Sequence, residues 1–175
     1  MKNKVFNLLV WAAASLALVL ADQYTKLLVV TRLKGQPPFV IVDGVFEFLY
    51  SENRGAAFGM LQGRQGFFFL IGAVVLAAAV FVMYRMPDWG QKRYHWLKIC
   101  TIMITAGAIG NMVDRVSKGY VVDFLYFKLI NFPIFNVADI YVTVATSILL
   151  VLLCFYYREE ELDIFHLRRE KEDSH

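Results

Sequence analysis

Cysteine and histidine are scarce in this chain, and the motifs that would give them chemistry are missing. Cys100 and Cys154 lie inside apolar runs with no CxxC pair, and the three histidines, His95, His166 and His175, sit apart in polar segments. This excludes a thiol redox pair and a His/Cys metal site, and it reads the cysteines as small buried apolar residues. There is no GxSxG, no HExxH and no glycine-rich phosphate loop. Ser117 and Lys118 are adjacent, so they do not face each other along a helix as a Ser-Lys dyad would need. No Gly/Ser-rich or Pro-rich stretch divides the chain and no internal repeat is visible, so one domain fits its 175 residues. Charge of one sign is also lacking. Eighteen Lys and Arg against 15 Asp and Glu leave a net charge of +3. The basic residues flank apolar runs, which points to membrane orientation and away from nucleic-acid binding.

What the chain has in excess is apolar length. Its residues are 58% hydrophobic and its mean hydropathy is +0.51, whereas a soluble domain is about 45–50% apolar. Four runs, 5–21, 66–84, 97–113 and 140–157, approach the roughly 20 helical residues that cross a bilayer core. The expected fold is therefore an all-α membrane protein, a four-transmembrane-helix bundle. The first run follows Lys2 and Lys4 and ends in Val19-Leu20-Ala21, as a secretory signal would. Its 17 residues exceed the usual signal core of about 7–15, so it is read as a retained helix. The third run carries Lys98, Thr101 and Thr105, with three glycines in and around it. Small and hydroxyl residues favour close helix approach, which places it inside the bundle.

Ten of the 18 basic residues fall in the segments that are cytoplasmic if the N-terminus is. This bias predicts both termini inside, with outer loops at 27–64 and 114–138. Residues 39–50 are rich in β-formers around Asp43-Gly44 and read as a short extracytoplasmic hairpin. The apolar stretch 121–127 reads as a loop lying on or in the membrane surface. Residues 1–157 form the expected membrane domain. Residues 158–175 form a charged cytoplasmic tail with a weak Leu162, Phe165, Leu167 stripe, read as solvated or surface-lying and given no chemistry.

Ionisable groups at membrane depth are costly, about 2.5–3.5 kcal/mol each on insertion scales, and so point to function. Here they gather at one predicted level, the outer interface. Asp22 and Lys26 share a helical face, as do Asn111, Asp114 and Arg115; Asn53 and Arg54 follow the hairpin; Asp123, Asn136 and Asp139 precede or open the fourth helix. Asp22 has Lys26 within reach, and Asp114 has Arg115 or another neighbour. Asp123 and Asp139 have no basic residue at helical spacing. If these two face each other they share a proton, and such a dyad can activate water and protonate a leaving amine. The structural alternative is that each aspartate caps a helix or pairs with an arginine.

At these residues the chain resembles the bacterial lipoprotein signal peptidase (signal peptidase II) family. The matching pieces are Asp22-Gln23-Tyr24-Thr25-Lys26, Glu52-Asn53-Arg54-Gly55-Ala56-Ala57-Phe58, Gly107-Ala108-Ile109-Gly110-Asn111-Met112-Val113-Asp114-Arg115, Gly119-Tyr120-Val121-Val122-Asp123-Phe124 and Phe135-Asn136-Val137-Ala138-Asp139. They follow the family's order from the first span to the fourth. The resemblance implies an intramembrane aspartyl endopeptidase of the bacterial inner membrane. It would remove signal peptides from diacylglyceryl-modified prolipoproteins, cutting just before the modified cysteine. It implies Asp123 and Asp139 as the catalytic pair. Asp22, Lys26, Asn53, Arg54, Gly55, Asn111, Asp114, Arg115, Asn136 and Ala138 would support the site or the substrate.

The same resemblance implies an extracytoplasmic β-cradle with a helix over the site, no metal or organic cofactor, a monomer in contact with membrane lipids, and inhibition by globomycin-like peptides. Gly55, Ala56 and Ala57 are small enough for a substrate backbone to pass closely. Two other classes compete. A small proton-coupled transporter also uses membrane carboxylates, but its site lies near the midplane and comes with repeated halves. A non-catalytic assembly or anchor subunit would tolerate Asp123→Asn and Asp139→Asn.

Overall fold

The computed structural model describes residues 2–55 and 65–165. Ala56, Ala57 and Phe58 of the second motif, and His166, Leu167 and the rest of the tail, lie outside them. Four long helices are apolar enough to cross a membrane. They are α1 (Lys2–Leu33), α2 (Gln65–Arg85), α3 (His95–Lys118) and α4 (Val137–Val151), the last continued by a π-helical turn over Leu152–Tyr156. Three strands, β1 (Phe39–Val42), β2 (Phe46–Asn53) and β3 (Val121–Phe127), form one antiparallel sheet in that order.

The helix ends follow local chemistry. α1 runs well past Ala21, the expected end of its span. Nothing between Asp22 and Leu33 breaks a helix, and the chain turns only at Gly35, with φ +77°, ahead of Pro37-Pro38. At about 1.5 Å per residue its 32 residues reach roughly 48 Å, longer than a bilayer core. α3 likewise continues to Lys118, where Gly119 takes a left-handed φ of +78° and donates its N–H to the Arg115 carbonyl. The segments after α1 and α3 thus start at 34 and 119, beyond the 27 and 114 expected for the loops.

α3 is the central helix. Half of its apolar window is buried, against 22% or less in the other three. Glycine permits this packing at two places. A Cβ on Gly107 would lie 2.5 Å from the Ala138 carbonyl oxygen of α4, and one on Gly110 would lie 2.6 Å from Asp22 Oδ2 of α1. Lys98, which interrupts the third apolar run, is fully buried with its ammonium over the Trp89 ring.

The expected hairpin at 39–50 is present. Asp43-Gly44 turns it, with Gly44 at φ +68° and the Val45 N–H bonded to the Val42 carbonyl. The stretch 121–127 is not a surface loop. It is β3, paired to β2 and buried from Val121 to Leu125. Val122, Phe124 and Leu125 pack with Val29 of α1 into a core beneath the sheet. An uninterrupted apolar run fits a strand buried on both faces as well as it fits a membrane-surface loop.

Two further expectations change. Cys100 is buried, but Cys154 is exposed on the π-helical turn. The start of the tail keeps most of its charged residues exposed but docks its apolar stripe: a short helix, α5 (Glu159–Leu162), and the turn Asp163–Phe165 fold back so that Leu162, Ile164 and Phe165 pack on the core formed by α2, α3 and α4.

Candidate active site

Four carboxylates converge where α1, α3, α4 and β3 meet, and the structure sorts them into two kinds. Asp22 and Asp114 are fully buried and share one cation. Lys26 Nζ is 2.8 Å from Asp22 Oδ2 and 3.1 Å from Asp114 Oδ2. Asp22 also accepts the backbone N–H of Ala138 at 2.9 Å, and Asp114 accepts the Val122 N–H at 3.2 Å and Lys118 Nζ at 2.8 Å. The two carboxylates therefore tie α1 and α3 to the start of α4 and to β3. The basic neighbours of Asp114 are Lys26 and Lys118; Arg115 faces elsewhere.

Asp123 and Asp139 are held by amides. Asp139 sits in the first turn of α4, where the helix dipole favours an anion, and forms a reciprocal capping box with the N-cap Asn136. Asp139 Oδ2 accepts the Asn136 backbone N–H at 3.1 Å, while its own backbone N–H goes to Asn136 Oδ1 at 3.0 Å. The Asn136 Nδ2 group donates to Asp123 Oδ1 at 2.6 Å and to Asn111 Oδ1 at 3.1 Å. Asn111 Nδ2 donates to Asp139 Oδ1 at 2.8 Å, and its Oδ1 accepts Lys26 Nζ at 2.9 Å. Asn53, on the strand facing β3, donates to Asp123 Oδ2 at 2.9 Å, and its Oδ1 accepts the Gly55 N–H at 3.0 Å. One asparagine, Asn136, thus touches both aspartates.

Backbone pairing produces this convergence. Phe124 and Leu125 donate to the Phe135 carbonyl, and Phe135 returns a hydrogen bond to Leu125. The chain from β3 to α4 is thereby doubled back, which sets Asn136 beside Asp123, 13 residues away. Burial, and then the neighbouring Asp139 carboxylate, push the Asp123 carboxyl up from 3.8 to about 7, outweighing the hydrogen bonds from Asn53 and Asn136 that pull it down.

The site opens onto a cavity of about 620 Å³ lined by Asn53, Gly55, Arg115, Asp139 and the apolar residues Phe68, Phe132 and Phe135, among others. Arg115 stacks over the Phe68 ring of α2 and reaches the carbonyls of Asn111 and Gly55, each at 3.4 Å. Of the described residues singled out from sequence for the site, all but one meet here. Arg54 is exposed and paired instead with Glu52 at 3.0 Å, over the Tyr120 ring. That pairing and the Tyr50 hydroxyl hold the Glu52 carboxyl below its usual range, Tyr50 contributing most. Three contributors escape the sequence reading. Lys118 is legible as an i,i+4 partner of Asp114. Gln23, which bonds Asp22 Oδ2 and the Gly110 carbonyl, each at 3.1 Å, lies inside a quoted motif. Phe68 has no local signal at all.

The fold has counterparts among known proteins. Two solved structures, each described as a bacterial membrane enzyme obtained by the in meso method, match with a TM-score of 0.72. One, at 2.3 Å resolution, is 27% identical and covers 86% of this chain and 92% of its own. The other, at 1.9 Å, is 29% identical and covers 85% and 94%. In sequence, the lipoprotein signal peptidase of Streptococcus thermophilus is 40% identical over 140 residues, 80% of this chain and 89% of the relative. That of Caldanaerobacter subterraneus is 42% identical over 138 residues, 78% and 90%. The family described as Signal peptidase (SPase) II matches residues 14–155. The fold and these matches define a multi-pass membrane peptidase. The chain belongs to the signal peptidase II family. The transporter alternative gains no support from any of them.

Proposed function

We propose that the chain is an aspartyl endopeptidase that removes signal peptides from diacylglyceryl-modified prolipoproteins, with Asp123 and Asp139 as its catalytic pair. The observation that carries this reading is the division of labour among the four carboxylates. Asp22 and Asp114 are neutralised by Lys26 and Lys118. Asp123 and Asp139 are bridged by Asn136, and Asp139 lines a cavity large enough for an extended peptide, with Asp123 buried behind it. The relatives' name, lipoprotein signal peptidase, supplies the substrate.

The mechanism follows from one shared proton. With Asp123 at about 7, the pair near neutral pH holds a carboxylic acid beside a carboxylate. The carboxylate takes a proton from a water molecule, whose oxygen attacks the scissile carbonyl carbon. The acid gives its proton to the carbonyl oxygen, leaving a neutral tetrahedral diol. Collapse breaks the C–N bond, the leaving nitrogen takes up a proton from the pair, and one diol hydroxyl returns its proton, so the dyad ends as it began. No covalent enzyme intermediate forms. Asn53, Asn111 and Asn136 fix the carboxyl oxygens, and Arg115 sets a positive charge beside them. Gly55 lets the substrate backbone approach.

The charge bias supports a bacterial inner membrane protein with both termini cytoplasmic and the aspartates at the outer face. In this arrangement residues 1–157 are the peptidase and 158–175 a cytoplasmic tail. A lipid-bearing substrate reaches the site from within the bilayer. The test is a gel-shift cleavage assay on a diacylglyceryl-modified precursor. Asp123→Asn and Asp139→Asn should each lose activity by about 10³-fold while keeping the wild-type melting profile. Cleavage that survives either change would remove that residue from the pair.

A further inference from the structure

The cavity at Asp139 is one end of a longer apolar groove. A second cavity of about 300 Å³ shares Phe68, Arg115 and Asp139 with the first and continues along α3 past Val75 and Ile104. A third, of about 570 Å³, begins at the same Val75 and Ile104 and ends against Leu153, Leu162 and Phe165. α2 and α4 form its walls and α3 its back. From Asp139 to Leu153 along α4 is 14 residues, about 21 Å at 1.5 Å per residue.

The far end of this groove is closed by a segment that is firmly held. Arg93 grips Glu161 through two hydrogen bonds, at 2.7 and 2.9 Å, and also bonds the Tyr156 carbonyl. Tyr94 donates to the Glu161 carbonyl at 3.0 Å, and Arg85 donates to the Ile164 carbonyl at 2.6 Å. Glu159 and Glu160 are exposed beside the closure. The family match stops at residue 155, before this segment begins.

We propose that Leu162 and Phe165 are the floor of a groove for the apolar core of the signal peptide, and that their position sets the length of core the enzyme accepts. The inference rests on the peptidase reading above. The occupant is argued from continuity with the aspartates, from length and from charge. A helical core spanning about 21 Å has about 14 residues, at the upper end of the 7–15 typical of signal cores. A signal peptide places its basic start just before that core, which would bring it beside Glu159 and Glu160. A core that is too long would drive its first residues into the floor or lift the scissile bond off Asp123 and Asp139.

The experiment uses the full chain in lipid nanodiscs and diacylglyceryl-modified precursors whose apolar core is lengthened in steps of two leucines. Wild type should lose cleavage by roughly tenfold once the core outgrows the groove. The Leu162→Ala/Phe165→Ala double variant, checked for a normal melting profile, should move that loss to longer cores. In parallel, a photo-cross-linker at the first core residue is presented to the Asp139→Asn variant, and the adduct is mapped; it should fall at 153–165. Identical length profiles for the double variant and wild type would overturn the proposal. So would cross-links confined to α1, or labelling of the floor by a photoactivatable phospholipid but not by the precursor. Failure of wild type to cut any lipid-modified precursor would strike the peptidase reading instead, and the cross-linking arm separates the two.

Discussion

Asn136 Nδ2 lies 2.6 Å from Asp123 Oδ1, while the same residue caps α4 and gives its backbone N–H to Asp139. Cap and bridge can be separated by substitution. Asn136→Ala loses both, and should cost about 1 kcal/mol of stability and lower kcat by roughly 10–100-fold. Asn136→Ser keeps an N-cap oxygen but is too short to bridge. It should melt like wild type and still show the reduced kcat. Equal activity of the Asn136→Ser variant and wild type would make the bridge irrelevant to catalysis.

The pH dependence follows from Asp123. Its native pKa is raised from 3.8 to about 7, first by burial and then by Asp139. Between these values the folded chain holds a proton that the unfolded chain has released. The stability contributed by this protonation is fully present below pH 3.8 and is lost as the pH rises through about 7. In the proposed mechanism the acid of the pair is lost over the same upper limb. Cleavage should therefore decline above about pH 7. In Asp139→Asn the protonated-carboxyl infrared band of Asp123 should titrate at lower pH, because the second cause of the shift is gone. A band that stays put would assign the whole shift to burial.

Lys26 is fully buried between two carboxylates. Lys26→Met strands Asp22 without a cation and leaves Asp114 with Lys118 alone, and it should destabilise by about 3–5 kcal/mol. Adding Asp22→Asn and Asp114→Asn to it removes the stranded charges and should recover much of the loss in a thermal melt in detergent. If the single variant melts like wild type, the cluster is not a buried ionic one.

The three glycines of this region should respond differently. Gly107→Ala meets a backbone carbonyl and Gly110→Ala a pinned carboxylate, so each should cost about 1–3 kcal/mol and reduce cleavage. Gly119→Ala meets open space and strains only its left-handed φ, at about 1–2 kcal/mol, and should leave cleavage closer to wild type. Melting and gel-shift assays on the same three samples give the comparison.

The helices and the converging polar residues are legible because each has a local signature: apolar runs of bilayer length, and charges at i, i+3 and i+4. Asp22-Lys26 is such a pair. β3 is not legible as a strand. Its run from Val121 to Phe127 lacks alternation because it is buried on both faces from Val121 to Leu125, and pairing with β2 is a non-local fact. Arg54 shows the same limit. Its place next to Asn53 suggests the site, but alternation along the chain end of β2 sends it out to Glu52. The docking of Leu162 and Phe165 depends on Arg93 and Tyr94, which hold Glu161 from 68 and 67 residues earlier, and no local pattern announces it.

The Asp114 carboxylate accepts Lys26 Nζ from α1 and the Val122 N–H from β3 at once. The sheet therefore cannot peel from the helices without opening a buried charged cluster to water. The bundle and the cradle should behave as a single thermodynamic body: the Val122 amide should exchange its hydrogen only at the rate of global opening, and no state with melted strands over intact helices should accumulate on heating.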